Sequence, residues 1–255
     1  SISNTFIFDS SHIWGQSDNW IYFSNDFGEN WEPQFYYGES GFNDAFFADS
    51  LTGWFCGFDE VLHTNNGGET WEYQTLPDFP YLSLYSVFFL NKDTGWVAGS
   101  SASVFQTYDG GTNWLLIHGS LSMPFNIQEI HFFDPFHGCA AGWGDYAFNP
   151  YVITTFDGGN NWSLWTEPSD YGLVDVQITS ENEAWACSMN GHVFRSLDGG
   201  LNWEDYLSFP CGFHNDCMHF FNANDAILAC PNSIYMIMTQ NSWLDYQVNN
   251  INGIN

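Results

Sequence analysis

Three carboxylates stand at one recurring position of the chain, and their chemistry is the first clue to a function. Asp44, Glu129 and Asp175 each lie in a short apolar run, and the matching position of the other runs is uncharged. If these runs converge in the fold, the three carboxylates gather at one opening. Carboxylate oxygens bind Ca²⁺, and two carboxyls about 6.5–9.5 Å apart are the acid and base of an inverting glycosidase. A wet opening that tolerates polar residues explains the same pattern.

Two histidines, His131 and His219, follow that position by two residues. The second one belongs to a dense group with Cys211, His214 and Cys217. Thiols and imidazoles are zinc ligands, but this spacing matches no standard zinc knuckle. A disulfide between Cys211 and Cys217 is the favoured interpretation, and it would suit an exported protein.

A short polar phrase ending in tryptophan recurs about every 40 residues, which indicates a repeat architecture. Thr107-Tyr-Asp109-Gly-Gly111-Thr-Asn-Trp114 is the clearest copy, and Trp243 ends an eroded one. Hydroxyl and carboxylate side chains satisfy the amides of such a turn, and glycines accept its positive φ. We therefore predict a structural role for the aspartates and tryptophans of the phrase, which are Asp26, Trp31, Trp71, Asp109, Trp114, Asp157, Trp162, Asp198 and Trp203.

Four strand-like runs make up each repeat, and in the third repeat they are residues 84–90, 95–99, 103–107 and 114–117. Four strands at this period are typical of a β-propeller blade. The sequence predicts an all-β fold, with residues 1–255 as a single β-propeller domain of six four-stranded blades. The predicted blades are approximately residues 1–38, 39–80, 81–122, 123–170, 171–210 and 211–255. A seventh blade, begun by residues 251–254, is the alternative if the chain is a fragment.

Cys56 and Cys187 occupy the same place in their repeats, inside an apolar run. We predict that both are buried free thiols, because cysteine behaves as a small hydrophobe in such a setting.

The repeated phrase resembles the Asp-box, or BNR, repeat. The longer pattern, an apolar strand followed by Gly-Trp-x-x-Gly and Thr-x-Asp-Gly-Gly-x-x-Trp, is similar to photosystem II stability/assembly-factor-type propellers and their secreted bacterial relatives. The resemblance covers essentially the whole chain, and it implies a propeller in which the box is a structural hairpin. Sialidases, the best-known Asp-box enzymes, need three arginines, so the single Arg195 excludes that activity. Photosystem-binding members carry a basic patch, which this chain lacks.

The charge balance narrows the range of partners. Lys92 and Arg195 are the only basic residues beside 30 acidic ones, which gives a formal net charge of −28. Such a body repels phosphate backbones, so we expect no nucleic-acid partner. No apolar stretch is long enough for membrane insertion, and no signal segment opens the chain, which indicates a mature form or an excised fragment. Cations, basic proteins and neutral glycans remain as partners.

The fourth repeat is the longest, and its excess lies between its second and third strands. This excess contains the aromatic residues Trp143, Tyr146, Phe148 and Tyr151. Loops 77–81 and 123–125 also carry aromatics and are predicted to emerge on the same face. Large apolar groups on irregular loops indicate a recognition surface, and loops that pack on themselves are the alternative.

The sequence predicts a secreted or cell-surface, non-enzymatic binding or scaffold propeller that recognises a protein or glycan partner. No cofactor is expected, with Ca²⁺ as the one ion that the carboxylates would suit. A glycan-active hydrolase using two of Asp44, Glu129 and Asp175 is one alternative, and a structural subunit of a cell-surface assembly is the other. The predicted ligand-binding residues are Asp44, Glu129, His131, Asp175, His219, Trp143, Tyr146, Phe148 and Tyr151.

Overall fold

The computed structural model shows an all-β protein. It describes residue 2 and residues 4–17, 19–38, 41–77, 82–119, 125–144, 149–167, 171–208, 218–222, 225–230 and 233–238. This part of the chain forms 23 β-strands. It holds no helix that is long and apolar enough to cross a membrane.

The first compact unit, Ser1–Met123, contains three four-stranded antiparallel sheets, each made of consecutive strands. Within this unit the first strand of each sheet lies beside the first strand of the next sheet. The strands are β1 (Asn4–Asp9), β2 (His12–Ser17), β3 (Trp20–Ser24) and β4 (Glu32–Tyr36); β5 (Phe42–Phe47), β6 (Gly53–Gly57), β7 (Val61–Thr64) and β8 (Glu72–Gln74); and β9 (Leu84–Phe89), β10 (Gly95–Gly99), β11 (Val104–Thr107) and β12 (Leu115–His118).

The second compact unit, Pro124–Asn255, has two four-stranded sheets and a third with three described strands. The strands are β13 (Phe125–Phe132), β14 (Gly138–Gly144), β15 (Pro150–Thr155) and β16 (Ser163–Thr166); β17 (Leu173–Ile178), β18 (Ala184–Ser188), β19 (His192–Ser196) and β20 (Glu204–Ser208); and β21 (Met218–Asn222), β22 (Asp225–Cys230) and β23 (Ser233–Met238). The end of the predicted sixth blade, residues 239–255, lies outside the described residues. The single-domain prediction stays a prediction.

A glycine and two aromatic rings join consecutive sheets of the first unit. A Cβ at Gly53 would lie 2.2 Å from the Phe47 ring, so only glycine lets that ring lie against β6. Trp14 of the preceding sheet stacks on Phe47, with ring centroids 3.6 Å apart. Trp54 and Phe89 repeat this arrangement one sheet later, also at 3.6 Å. The Gly-Trp pair of the sequence is therefore a packing device, because its glycine admits one ring while its tryptophan covers the next.

The middle strands are the most deeply buried part of the first five sheets. β6, β10 and β18 are buried at every residue, which fits their composition of glycine, alanine and large apolar side chains. Cys56 and Cys187 lie in two of these strands, and both are buried and outside any disulfide bond, as predicted.

Candidate functional site

Each polar phrase folds into a tight turn between the third and fourth strands, which we call the box turn. In the box turn of residues 107–114, the Thr107 hydroxyl donates to Asp109 Oδ1 at 2.9 Å and accepts from Gly111 N at 2.8 Å. Asp109 Oδ1 also accepts from Asn113 N at 2.8 Å, and its Oδ2 accepts from Asn113 Nδ2 at 2.7 Å. The aspartate oxygens therefore hold the turn together.

The other box turns repeat this network. Asp26, Asp157 and Asp198 accept the same pair of hydrogen bonds from the asparagine four residues later. In the second turn Asn66 Oδ1 accepts from Thr70 N at 3.0 Å, so an uncharged amide fills the same place. The hydrogen bonds from Asn113 hold the pKa of Asp109 below its usual range. A charged aspartate therefore stabilises the turn, but the charge is not required.

The box turns also join neighbouring sheets. Gly110 O accepts one hydrogen bond from Trp54 Nε1 at 3.0 Å and another from Gln74 Nε2 at 2.7 Å, and both donors belong to the preceding sheet. In the second unit, Gly200 O accepts from Thr154 Oγ1 at 2.7 Å. Of the tryptophans that end the phrase, Trp71, Trp114 and Trp203 are buried, whereas Trp31 and Trp162 are half-buried.

Two of the three recurring carboxylates fasten consecutive sheets together. Asp44 Oδ2 accepts from Val87 N of the next sheet at 2.8 Å, and Asp175 Oδ2 accepts from Met218 N of the next sheet at 2.7 Å. The strand pairing shifts register just before each aspartate. A β-bulge of this kind re-aims the following side chain. We conclude that Asp44 and Asp175 have an inter-sheet role that strand alternation did not predict.

Burial sets the ionisation of the groups at these joints. Burial raises the pKa of Asp175 to about 6, against the hydrogen bonds from Met218 N and Val176 N, which lower it. His131 makes a similar joint, because its Nδ1 accepts from Ile178 N at 3.3 Å. Burial lowers the pKa of His131 to about 4, so the imidazole is neutral at pH 7 and its Nδ1 can accept.

Glu129 and His219 complete the set of polar residues predicted to meet at one opening. Glu129 lies on β13 opposite Ala141, just after a similar register shift, and His219 is exposed on β21. Across the part of the chain that the structure describes, no group of three or more His, Cys, Asp or Glu side chains could hold a metal ion. The Ca²⁺ and acid–base hypotheses stay predictions.

Part of the excess of the fourth repeat extends its hairpin. β14 and β15 pair until Trp143 opposes Pro150, so Trp143 and Tyr151 lie in strands and not in the predicted loop. Tyr151 is buried, and a Cβ on Gly172 would lie 2.3 Å from Trp143 Cδ1, so that indole packs closely on the next sheet. Tyr146, Phe148, Cys211 and Cys217, with loop residues 78–81, 123 and 124, lie outside the described residues.

Both basic side chains of the chain are held by carboxylates. The Lys92 ammonium pairs with Asp49, and it holds the pKa of that carboxyl at about 2. Arg195 donates to Glu183 Oε1 through Nε at 2.9 Å and Nη2 at 2.5 Å. The same guanidinium lies over the ring of Trp185, 5.0 Å from its centroid. Each cation therefore neutralises only the carboxylate with which it pairs, and the rest of the negative surface charge is not offset.

A groove of about 910 Å³ opens in the first unit between the edge strand β8 and the box turn of the next sheet. We call it the rim groove. The carboxylates of Glu72, Asp93 and Asp109 line it, together with His63 and the already paired Lys92. Burial lowers the pKa of His63, so its ring does not offset this charge at neutral pH. The rim groove is therefore an anionic channel beside an open strand edge.

Sequence reasoning missed the rim groove because its two walls come from different repeats. Nothing in the sequence places Glu72 opposite Asp93 and the third box turn. That pairing depends on the hydrogen bond between Gln74 and Gly110, which joins the two sheets.

Comparisons with known proteins show which proteins the chain is similar to. The family model described as photosynthesis system II assembly factor YCF48 matches residues 23–162, more than half of the chain. Photosystem II stability/assembly factor HCF136, chloroplastic, of Oryza sativa subsp. japonica is 38% identical over 75 residues, which are 28% of this chain and 18% of that protein. Photosystem II assembly lipoprotein Ycf48 of Synechococcus sp. (strain CC9902) is 25% identical over 163 residues, 62% of this chain and 46% of that protein. The chain spans less than half the length of these two relatives.

Solved structures agree on the fold. YCF48 from Cyanidioschyzon merolae superposes with a TM-score of 0.54 at 15% identity, over 92% of this chain and 94% of that one. The WD40 β-propeller domain of Doa1 superposes with a TM-score of 0.57 at 14% identity, over 81% of this chain and 68% of that one. The four-stranded sheets are thus of the propeller type, and the chain belongs to the family of the photosynthesis system II assembly factor YCF48.

Proposed function

We propose that this chain is a non-enzymatic, protein-binding assembly factor that holds a cationic segment of a partner polypeptide in the rim groove. The family supports the general role, since its model and both curated relatives are described as assembly factors. The observation that carries the specific role is the unbalanced charge of the groove. Glu72, Asp93 and Asp109 line it, while the one ammonium there is already paired with Asp49.

The electrostatics of the whole chain favour a cationic ligand. A formal net charge of −28 creates a potential that attracts positive segments and repels anionic ones. In addition, β8 ends its sheet, and an edge strand offers a row of peptide groups to an extended segment. An extended basic segment can therefore pair with β8 while its side chains meet the carboxylates.

We further propose a β-propeller fold of six four-stranded blades and an exported location. The six sheets of consecutive strands support the first proposal, and the name of the lipoprotein relative supports the second. The hydrogen bonds of Asp44 and Asp175 to backbone amides favour a structural use of these carboxylates over glycan hydrolysis. A Ca²⁺-dependent surface assembly stays a hypothesis. Measurements of binding with and without a chelator test it.

The test compares two doubly substituted proteins that lose the same charge. Glu72→Gln with Asp93→Asn removes two groove carboxylates, and Glu29→Gln with Glu32→Gln removes two exposed carboxylates of the first sheet. A labelled lysine-rich peptide is titrated against each by fluorescence anisotropy at low salt. Because an exposed ion pair contributes about 0.2–1 kcal/mol, we expect the groove variant to bind about fivefold more weakly and the control to bind like wild type. Equal affinities for all three proteins would refute the proposal.

A further inference from the structure

Four large apolar side chains lie exposed together in the second unit, at the end of its sheets that carries the box turns. Phe133 and Phe136 lie in the β13–β14 turn, and Phe156 and Leu197 lie in the box turns of the fourth and fifth sheets. Their exposed fractions are 43%, 64%, 48% and 60% in that order. We call these four residues the aromatic rim patch. Isolated exposed apolar residues are ordinary, but a contiguous group marks an interaction surface.

Hydrogen bonds fix the loops that carry this patch. Gly158 N donates to Phe136 O at 2.9 Å, which ties the fourth box turn to the β13–β14 turn. The buried His137 ring stacks on Phe156, with centroids 4.6 Å apart. Its Nε2 lies 2.7 Å from Gly199 O, in the box turn that carries Leu197. The patch is therefore held in place before any partner arrives, so little ordering of its loops opposes binding.

Carboxylates lie in the same two turns as the phenylalanines. Asp134 Oδ1 accepts from Phe136 N at 2.7 Å and from His137 N at 2.9 Å. Asp157 accepts from Asn161, and these hydrogen bonds hold the pKa of Asp157 below its usual range. Both groups are occupied within their turns, but they leave negative charge beside exposed aromatic faces. Aromatic faces next to carboxylates suit a cation that is also flat.

The chain contains its own example of this recognition. Arg195 lies over the rings of Trp185 and Tyr206, at 5.0 and 5.4 Å, while it bonds to the Glu183 carboxylate. We infer that the aromatic rim patch docks an arginine-bearing, otherwise apolar segment of a partner polypeptide. The net charge of −28 argues against a second copy of this chain or an anionic lipid surface as the occupant.

This inference rests on the proposed function for the cationic character of the partner, and it adds a second contact with its own selectivity. The rim groove offers carboxylates, which accept lysine and arginine alike. The aromatic rim patch favours arginine, because a planar guanidinium stacks on a ring whereas a lysine ammonium is a compact, strongly hydrated charge. A partner that uses both surfaces carries arginines in the segment that meets the second unit.

The experiment measures the binding of three fluorescein-labelled peptides by anisotropy. In the first peptide arginine alternates with valine, and the other two carry lysine or glutamine in place of arginine. The test variant is Phe136→Ser with Phe156→Ser. The control is Phe8→Ser with Phe27→Ser, which removes two exposed phenylalanines of the first sheet, one near the end of β1 and one in the box turn. Phe136→Lys is a second test variant. It places a positive charge, which repels the arginine peptide, on the most exposed position of the patch and leaves the His137–Phe156 stack intact.

We expect the test variant to bind the arginine peptide about tenfold more weakly than wild type does. Its affinity for the lysine peptide should change little, and the control variant should bind the peptides like wild type. Phe136→Lys should weaken the arginine peptide at least as much, and thermal melting monitors folding. An unchanged arginine affinity in both test variants overturns the inference while leaving the groove proposal intact. Wild-type protein that binds neither cationic peptide overturns both proposals. A further outcome is that wild-type protein binds a neutral oligosaccharide but no arginine peptide at the patch, and that the test variant loses the oligosaccharide binding. This result assigns the patch to glycans and overturns the inference.

Discussion

Substitution of Asp175 gives a quantitative prediction, because two different replacements separate the effect of its charge from the effect of its hydrogen bond. Burial raises the pKa of Asp175 from 3.8 to about 6, so the folded state binds this proton more tightly than the unfolded state does. The contribution of Asp175 to the free energy of unfolding is therefore fully present below pH 3.8 and is lost as the pH rises through about 6. A pKa difference of about 2 corresponds to a ceiling of about 3 kcal/mol.

Two substitutions distinguish the charge from the hydrogen bond. Asp175→Asn removes the ionisation but keeps an oxygen that can accept from Met218 N, whereas Asp175→Ala leaves that N–H without its acceptor. We expect Asn to gain stability relative to wild type between about pH 4 and pH 7, by up to about 3 kcal/mol. Ala should follow the same pH trend and be less stable than Asn by about 1–3 kcal/mol at every pH.

Urea unfolding followed by tryptophan fluorescence at a series of pH values measures both differences. All three proteins share every other titrating group, so the difference between two curves reports on residue 175 and its immediate surroundings. If the difference in the free energy of unfolding between Asp175→Asn and wild type stays constant across this pH range, the raised pKa of Asp175 is contradicted. Equal stabilities of Asn and Ala would show that the hydrogen bond to Met218 N contributes nothing.

Two further predictions concern the close packing at Gly200 and the ion pair of Arg195. Gly200→Ala places a Cβ 2.5 Å from Cys139 Sγ at a φ of +98°, whereas Gly38→Ala has a similar φ of +84° and no atom within 4 Å. We expect Gly200→Ala to lower the free energy of unfolding by about 2–5 kcal/mol and Gly38→Ala by about 1–2 kcal/mol, as measured by urea unfolding. Equal losses would show that close packing at Gly200 is unimportant. Arg195→Lys cannot keep both hydrogen bonds to Glu183, so it should lower the free energy of unfolding by about 1–3 kcal/mol, and an unchanged melting temperature would contradict this.

The repeating part of the fold could be predicted from the sequence because its signals are local. The third repeat was expected to place strands at residues 84–90 and 95–99, and the structure has Leu84–Phe89 and Gly95–Gly99. Apolar runs between polar turn residues are sufficient for this. The hydrogen bonds of the box turn likewise follow from side chains within eight consecutive residues.

The functional surfaces could not be predicted, because they depend on contacts between repeats. The rim groove needs the packing of Gln74 on Gly110, which joins residues far apart in sequence. The role of Asp44 depends on a bulge that alternation does not reveal. In Phe136 and Phe156 the sequence offered a signal, since both fall in turns where other repeats have polar residues or leucine. Single phenylalanines beside strands are so common that neither one stood out.

The central claim is that a cationic segment lies in the rim groove, and hydrogen–deuterium exchange tests it most directly. The full chain is labelled with and without a saturating lysine-rich peptide, and exchange is followed by mass spectrometry. We predict slower exchange in peptides covering β8 (Glu72–Gln74) and the box turn of residues 109–112, whose backbone groups border the groove. The corresponding segments of the first sheet, β4 (Glu32–Tyr36) and residues 26–29, should exchange as before. Protection confined to other segments, or equal protection of the first sheet, would contradict the claim.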